Sequence, residues 1–226
     1  MNQIIREAYN KGYKSLSEFE SKKVFKETGI LVAREDLAMS AEQAKKIANS
    51  IGYPVVLKAS GRKIMHKTEL GLVKLGISSD SDLAKAYDDI MSKGTQVAEL
   101  DGVLVQEMLK GNREFIIGLS RDPSFGPCVM FGLGGIFAEV LKDVSFRIAP
   151  LTETDAEAMI DEIKTSRLLD EFRGSPAVDR SLLIKALIGV GNLALDNNEI
   201  AEIDINPIII ADRKPVAVDG LVVLSN

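Results

Sequence analysis

Tryptophan is absent from this 226-residue chain, aromatic residues make up only 5% of it, and cysteine and histidine occur once each. A single cysteine, Cys128, excludes an internal disulfide and fits a reducing compartment. Its neighbours in Gly126-Pro-Cys128-Val-Met-Phe131 are apolar, so packing rather than reactivity is expected of it. No apolar run approaches the ~20 residues that cross a bilayer. The opening Met1-Asn-Gln-Ile-Ile-Arg-Glu7 lacks the long apolar region of a secretory signal. A strong excess of positive charge is also missing: 28 Lys and Arg against 33 Asp and Glu leave a net charge of -5, which argues against a general nucleic-acid surface. A soluble cytoplasmic protein with neither membrane nor nucleic-acid partner is expected. The 46% hydrophobic content is enough for a sizeable core, in one large domain or two modest ones packed together.

The one histidine sits in Lys58-Ala-Ser-Gly-Arg-Lys-Ile-Met-His66-Lys67-Thr-Glu-Leu-Gly71, where Lys58, Arg62, Lys63 and Lys67 fall within ten residues. A neutral imidazole is a nucleophile near neutral pH, and clustered cations are what a phosphoryl group needs around it. A solvated surface histidine in a basic loop satisfies the same pattern, so other parts of the chain must decide.

Helix and strand signals alternate in the first half. Residues 2–11 predict a short helix. Ser17-Glu-Phe-Glu20 is a capping-box pattern opening a helix that stops at Gly29, and Ser40-Ala-Glu-Gln43 opens another that stops at Gly52. Leu31–Ala38, Tyr53–Ala59 and Leu72–Ile77 read as extended, and Asp80–Lys93 as a helix ended by Gly94. The second half opens with strand signals over Gly102–Met108, Glu114–Leu119 and Cys128–Phe131, followed by a glycine-rich turn at Gly132-Leu-Gly134-Gly135. Helices are expected over Thr152–Ile163, Ser166–Phe172 and Ser181–Leu195, then strands over Glu199–Ile205, Pro207–Ile210 and Pro215–Val218. The expected architecture is α+β in two lobes with a junction near residue 100, within one domain spanning 1–226. Residues 20–101 would form the first lobe and 102–226 the second, with 1–19 packed on the second.

Four places can carry chemistry. Lys58 ends an apolar strand, where it either clamps an anion or snorkels at a strand edge. Gln106-Glu107-Met108 lies at the lobe junction, where backbone groups can pair with an adenine edge and a carboxylate with ribose hydroxyls. From the spacing alone, an ordinary hairpin with surface glutamates is the stronger reading. Gly132-Leu-Gly134-Gly135 could cradle an anion, but no Gly-Lys-Ser/Thr follows, so it is not a P-loop. Glu202-Ile-Asp204-Ile-Asn206-Pro207 places three oxygen-bearing side chains on one face of a strand, about 7 Å per two-residue step. Ile203 and Ile205 would face the core. Hard oxygens so gathered suit Mg²⁺, with Asp219 as a further donor, although a solvent-facing acidic strand shows the same alternation.

Together these segments resemble the ATP-grasp family, and within it the β subunit of ADP-forming acetyl-CoA (acyl-CoA) synthetases, relatives of succinyl-CoA synthetase β. The carrying pieces are Gly52-Tyr-Pro-Val-Val-Leu-Lys58, Met65-His66-Lys67-Thr-Glu-Leu-Gly71, Val105-Gln-Glu107-Met108, Arg113-Glu114-Phe-Ile-Ile-Gly118, Phe131-Gly-Leu-Gly-Gly-Ile-Phe137 with Lys142-Asp-Val-Ser-Phe-Arg147, and Glu202-Ile-Asp204-Ile-Asn206-Pro207. They occur in the family's order over essentially the whole chain. The resemblance implies an ATP-grasp fold with ATP or ADP bound between two lobes. It implies that Lys58 contacts phosphates, and that Glu107, Met108 and Glu114 line the adenosine site. Asp204, Asn206 and Asp219 would lie at the Mg²⁺ end, with Gly134, Gly135 and Arg147 as further phosphate contacts. His66 would accept a phosphoryl group from a CoA-binding α subunit, in a heterotetramer of α2β2 type, and pass it to ADP. Two other readings keep the fold: a carboxylate ligase acting without phosphohistidine, and a non-catalytic nucleotide-sensing module. One departure is Leu72, where the family often has a second glycine after the histidine motif. A bulkier residue there could stiffen the loop that carries His66.

Overall fold

Two separate hydrophobic cores organise the chain in a computed structural model, which describes residues 2–64, 67–135, 142–171 and 174–225. They belong to two units: Met1–Leu16, Glu20–Val32 and Lys110–Asn226 form the larger, and Ser17–Phe19 with Ala33–Leu109 the smaller. Among the described residues, no helix is long and apolar enough to cross a membrane.

The smaller unit is a four-stranded antiparallel sheet, β1 (Glu35–Ala38), β4 (Gly102–Glu107), β2 (Val55–Ser60) and β3 (Val73–Ile77) in spatial order. Helices α3 (Ala41–Ile51) and α4 (Asp80–Val97) pack on it. Both begin where sequence says they should, with Ser40 Oγ accepting from the Gln43 amide and Ser79 Oγ from that of Asp82. β2 is buried throughout: Val55, Leu57 and Ala59 join the helix-side core. By strand alternation Val56, Lys58 and Ser60 face the other way.

Two boundaries differ from expectation. The lobe junction expected at 101/102 would remove β4 from this unit, yet β4 is an inner strand, bonded to β1 on one side and β2 on the other. The units divide after Leu109, and residues 20–32 group with the larger one. Gly94 does not end α4, which runs on to Val97. A side chain at Gly94 would meet Leu100 at 2.9 Å, so glycine serves close packing there rather than a stop.

Leu72 is a third point of interest. It is fully buried in the small-unit core, its amide donating to the Lys67 carbonyl (2.8 Å) and its carbonyl accepting from the Ala59 amide (3.0 Å). The position that departs from the family pattern is therefore a packing residue just after Gly71, whose φ of 67° needs glycine. Leu72→Ala is expected to cost about 2–5 kcal/mol of stability, as a deleted core leucine does. Denaturant unfolding checks this, and a change under ~1 kcal/mol would deny Leu72 that role.

The larger unit is a six-stranded antiparallel sheet in the order β10 (Leu221–Leu224), β8 (Ile200–Ala211), β5 (Glu114–Asp122), β6 (Gly126–Leu133), β7 (Val144–Ile148), with β9 (Lys214–Ala217) also pairing with β8. Its core draws on α1 (Gln3–Asn10), α2 (Glu18–Glu27), α5 (Glu153–Glu162), a 3₁₀ turn (Ser166–Leu169) and α6 (Arg180–Asp196). The first two residues of α2 group with the smaller unit. Asn2 caps α1, and Thr152 with Asp155 forms a full capping box on α5.

Asn206-Pro207 does not divide β8 into two strands. Phe115 pairs with Ile208 and Ile117 with Ile205, so Asn206 and Pro207 together oppose Ile116 as a bulge. The bulge resets the alternation: Ile203 and Ile205 are buried before it, Ile208 and Ile210 after it. Proline is accommodated because the extra residue at a bulge leaves the ladder anyway. β7 and β10 went unread as strands. Both are short, and both show period-2 burial only against a partner strand.

Candidate functional site

In the smaller unit, Lys58 is brought to Glu18 rather than to open solvent. Its ammonium donates to Glu18 Oε1 at 2.8 Å, and Lys67 donates to Glu18 Oε2, so one carboxylate ties the end of β2 to the residue after His66. The three side chains are only 8% (Lys58), 15% (Lys67) and 4% (Glu18) exposed. A lysine so buried needs an anion, and Glu18 supplies one. The partner missed from sequence was Glu18, which reads there as no more than part of a capping box. His66 itself, with Met65, lies outside the described residues.

Glu107 and Met108 are placed at the end of β4 with their polar groups engaged. The Glu107 carboxylate accepts from the Arg34 backbone amide (2.7 Å) and from Arg34 Nε (2.8 Å), while its own amide donates to the Arg34 carbonyl (2.8 Å). The Met108 amide donates to the Pro54 carbonyl at 3.3 Å, and its side chain is exposed. Arg34 is a second residue that spacing did not single out. Its bidentate hold orients Glu107 and occupies the carboxylate expected to meet ribose hydroxyls.

In the larger unit the sheet has two unlike faces. Phe115, Ile117, Val129, Phe131, Ile203 and Ile205 belong to the core. Register and alternation put Glu114, Gly118, Met130, Phe146, Glu202 and Asp204 on the opposite face, where Asp204 pairs across Gly118 with Met130 and Phe146. Glu202 and Asn206 are exposed and Asp204 is half-buried, as the alternation of residues 202–206 predicted. Burial pushes the Asp204 carboxyl up to about 6, with the nearby Glu202 and Asp219 carboxylates adding to it. Asp219 accepts from the Gly220 amide at 2.8 Å, in a turn pressed so closely on Phe25 that a Cβ at Gly220 would come within 2.5 Å of the ring.

Among the described residues, no three His, Cys, Asp or Glu side chains are grouped so as to hold a metal by themselves. Asp204, Asn206 and Asp219 nevertheless fit Mg²⁺, which takes few protein oxygens and completes its shell with water and phosphate. The raised Asp204 carboxyl marks a surplus of negative charge that a cation would relieve.

Arg147, Gly134 and Gly135 are each engaged within the larger unit. Arg147 lies on the core-side face of β7, opposite Val129, and pairs with Glu162 of α5 at 2.9 Å. It does not share a face with Asp204. Alternation along Val144–Ile148 alone separates Arg147 from Phe146 and could have shown this. The glycine run also differs from the expected turn. Gly132 is within β6, where a Cβ would strike the Asp143 carbonyl at 2.6 Å. The Gly134 amide is already given to the Glu114 carbonyl (2.8 Å). Gly135, at φ 68°, leaves room for the Glu114 carboxylate, which an added Cβ would meet at 2.6 Å. These glycines seat β6 and Glu114; residues 136–141 of the same motif lie outside the described residues.

Asp143, unnoticed in the sequence, anchors the neighbouring turn. It is buried, which disfavours its charge, but bonds from the Thr165 hydroxyl and the Lys164 and Thr165 amides hold its carboxyl below the ordinary value. Cys128 is half-buried, and burial, with Asp122 nearby, pushes its thiol up, away from reactivity as expected.

The family model described as ATP-grasp domain matches residues 7–224. The chain belongs to the ATP-grasp family. It is 45% identical over 212 residues to the β subunit of acetate–CoA ligase [ADP-forming] I of Pyrococcus furiosus, covering 92% of this chain and 91% of that one. It is 44% identical to acetate–CoA ligase [ADP-forming] I of Archaeoglobus fulgidus, where the match takes in 87% of this chain but only 29% of a longer one. Among solved structures, an acetyl-coenzyme A synthetase of Ca. Korarchaeum cryptofilum in complex with coenzyme A and Ca-AMPCP superposes at TM-score 0.93, with 44% identity and 98% of both chains covered. The same synthetase with coenzyme A and Mg-AMPPCP, its phosphohistidine segment pointing towards the nucleotide binding site, matches at 0.86 with 43% identity and the same coverage. The ATP-grasp fold expected from the motifs is thus confirmed over residues 7–224.

Proposed function

We propose that this chain is the nucleotide-binding β subunit of an ADP-forming acyl-CoA synthetase of the acetate–CoA ligase type, catalysing acyl-CoA + ADP + phosphate ⇌ acid + ATP + CoA. The observation that carries this is full-length similarity to the acetate–CoA ligase β subunit in a chain whose one histidine falls in Met65-His66-Lys67. A CoA-binding α subunit is the required partner, in an α2β2 heterotetramer. Relatives in which this region is under a third of a longer chain support a partner domain of that kind.

In this reading His66 accepts a phosphoryl group generated on the partner and delivers it to ADP. Lys58 takes the phosphates, and Glu107, Met108 and Glu114 are the residues assigned to the adenosine, Glu107 with its carboxylate held by Arg34. Asp204, Asn206 and Asp219 are the residues that would hold Mg²⁺. When bound, the ion neutralises charge on phosphate oxygens. The protein's own contribution is then chiefly alignment of donor and acceptor and exclusion of water.

The test is isotopic. With the partner subunit, acetyl-CoA and ³²P-phosphate, label is expected on this chain in an alkali-stable, acid-labile form that maps to His66 and is discharged by MgADP. An acid-stable label, or none on this chain, would remove the phosphohistidine role.

A further inference from the structure

We propose that Lys22 is a positioning residue for Asp219, pinning from α2 the short segment that carries this carboxylate. The inference rests on the Mg²⁺ role proposed for Asp219.

Lysine is almost never fully buried unless its ammonium is held, yet Lys22 has no exposed surface. Its ammonium donates to the Val218 carbonyl at 3.3 Å. That carbonyl belongs to the planar peptide group joining Val218 to Asp219, so the bond fixes the plane from which Asp219 starts. Other contacts hold the same segment. The Ala217 amide donates to the Leu31 carbonyl (2.8 Å), and the Val218 amide to the Pro207 carbonyl (3.2 Å), one residue after Asn206. Ser21 Oγ accepts from the Val222 amide at 3.1 Å. A Cβ at Gly220 would come within 2.5 Å of the Phe25 ring and 3.3 Å of the Asp204 carbonyl, so the turn is gripped between α2 and β8. Ser21, Lys22 and Phe25 share one side of α2 and are all fully buried. Every one of these residues belongs to the larger unit.

The role follows from where the three proposed Mg²⁺ residues sit. Asp204 and Asn206 lie on β8, whose strand pairings place them. Asp219 lies between β9 and β10, outside both strands, so the ladder alone does not fix it. Mg²⁺ demands near-ideal octahedral geometry, and a carboxylate held beforehand spares the cost of ordering it on binding. A group that orients a metal ligand in this way acts on metal affinity without touching the metal. The charge of Lys22 acts in the other direction, since like charges repel. Removing the ammonium therefore separates the two effects: lost positioning weakens Mg²⁺ binding, whereas lost repulsion tightens it.

Calorimetry on the full chain assembled with its CoA-binding partner reads the difference. Mg²⁺ is titrated into protein saturated with ADP, and ADP is titrated separately without metal. Lys22→Met keeps the apolar body of the side chain and removes the ammonium. It should bind Mg²⁺ roughly tenfold weaker and metal-free ADP within about twofold of wild type. A purely structural role would not single out the metal. Asp219→Asn should also bind Mg²⁺ roughly tenfold weaker or worse, and adding Lys22→Met to it should cost less than about twofold more, because the residue it acts through is already changed. Unchanged or tighter Mg²⁺ binding by folded Lys22→Met overturns the proposal, as does a full additional loss in the Asp219→Asn background. Hydrogen exchange on metal-free wild type covers the case in which Lys22→Met fails to fold. The Gly220 and Val222 amides should exchange at least about tenfold slower than in an unstructured peptide, and faster exchange shows a segment that is not held beforehand and overturns the proposal. The two readings fail separately: Asp219→Asn with wild-type Mg²⁺ affinity removes the metal role of Asp219, whereas a weakened Asp219→Asn beside an unaffected Lys22→Met removes only the part played by Lys22.

Discussion

The His66→Ala variant, assembled with the CoA-binding partner, is expected to lose ATP formation from acetyl-CoA, phosphate and ADP by ~10⁴-fold or more, about 5 kcal/mol of transition-state stabilisation. The reason lies in composition. The chain contains one imidazole, so no second histidine can take over the acceptor role. The nearby nucleophiles are lysines, and Lys58 and Lys67 are both committed to Glu18 as ammonium donors. A protonated amine has no lone pair with which to attack phosphorus. MgATP should still bind the variant within about threefold of wild type, because the phosphate contacts do not pass through the imidazole. That split between lost transfer and retained binding is the signature to look for. A variant that makes ATP at even a tenth of the wild-type rate would return the protein to a ligase acting without phosphohistidine.

The fold was largely legible because local and global signals agree over most of the chain. Ser40 and Ser79 cap helices where the pattern begins, and Gly52 closes α3 at φ 95°. β2 reads as a buried strand and is one. The misreadings share a cause. Gly94 and Pro207 are breakers in a one-dimensional reading, yet one is a contact surface for Leu100 and the other half of a bulge opposite Ile116. Gly94 answers to Leu100 just beyond the helix and Pro207 to Ile116 far along the chain, and the pattern of breakers records neither neighbour.

The same division holds at the candidate site. Residue types and their order announced Lys58, Asp204 and Asn206, since a lysine in an apolar strand and acids alternating with isoleucine are visible without coordinates. Their partners were not. Glu18 is 40 residues from Lys58 and Arg34 is 73 from Glu107, and only the folded sheet brings each pair into contact. Arg147 shows the converse. Its motif is intact, but the parity of β7 turns it to α5 and Glu162.

Asp204→Asn is expected to act in opposite directions on activity and on stability. Loss of a carboxylate at the proposed Mg²⁺ end should lower kcat/KM by ~10²-fold or more. Yet the nucleotide-free variant should be more stable than wild type at pH 8, because in wild type this carboxyl is held up at about 6 by burial, Glu202 and Asp219. The sign follows from proton binding. Between the unfolded value near 3.8 and about 6 the folded protein keeps a proton that the unfolded chain has released. Stability from this group is therefore full below the lower value, falls as pH rises through the window, and stays low above it. The shift caps the effect at about 3 kcal/mol, and relaxation of the half-buried site should reduce it to about 1–2. Asparagine cannot ionise, so the difference between variant and wild type should be flat above pH 6.5 and shrink steadily towards pH 4. Other groups that titrate in that range cancel in the difference. MgATP should narrow the gap at pH 8 by stabilising wild type more than the variant, since added positive charge favours the ionised carboxylate. Denaturant unfolding of both proteins from pH 4 to 8 gives the curve directly. A variant no more stable than wild type at pH 8 would show that Glu202, Asp204 and Asp219 coexist as carboxylates without strain, and would take away the electrostatic reason for placing a cation among them.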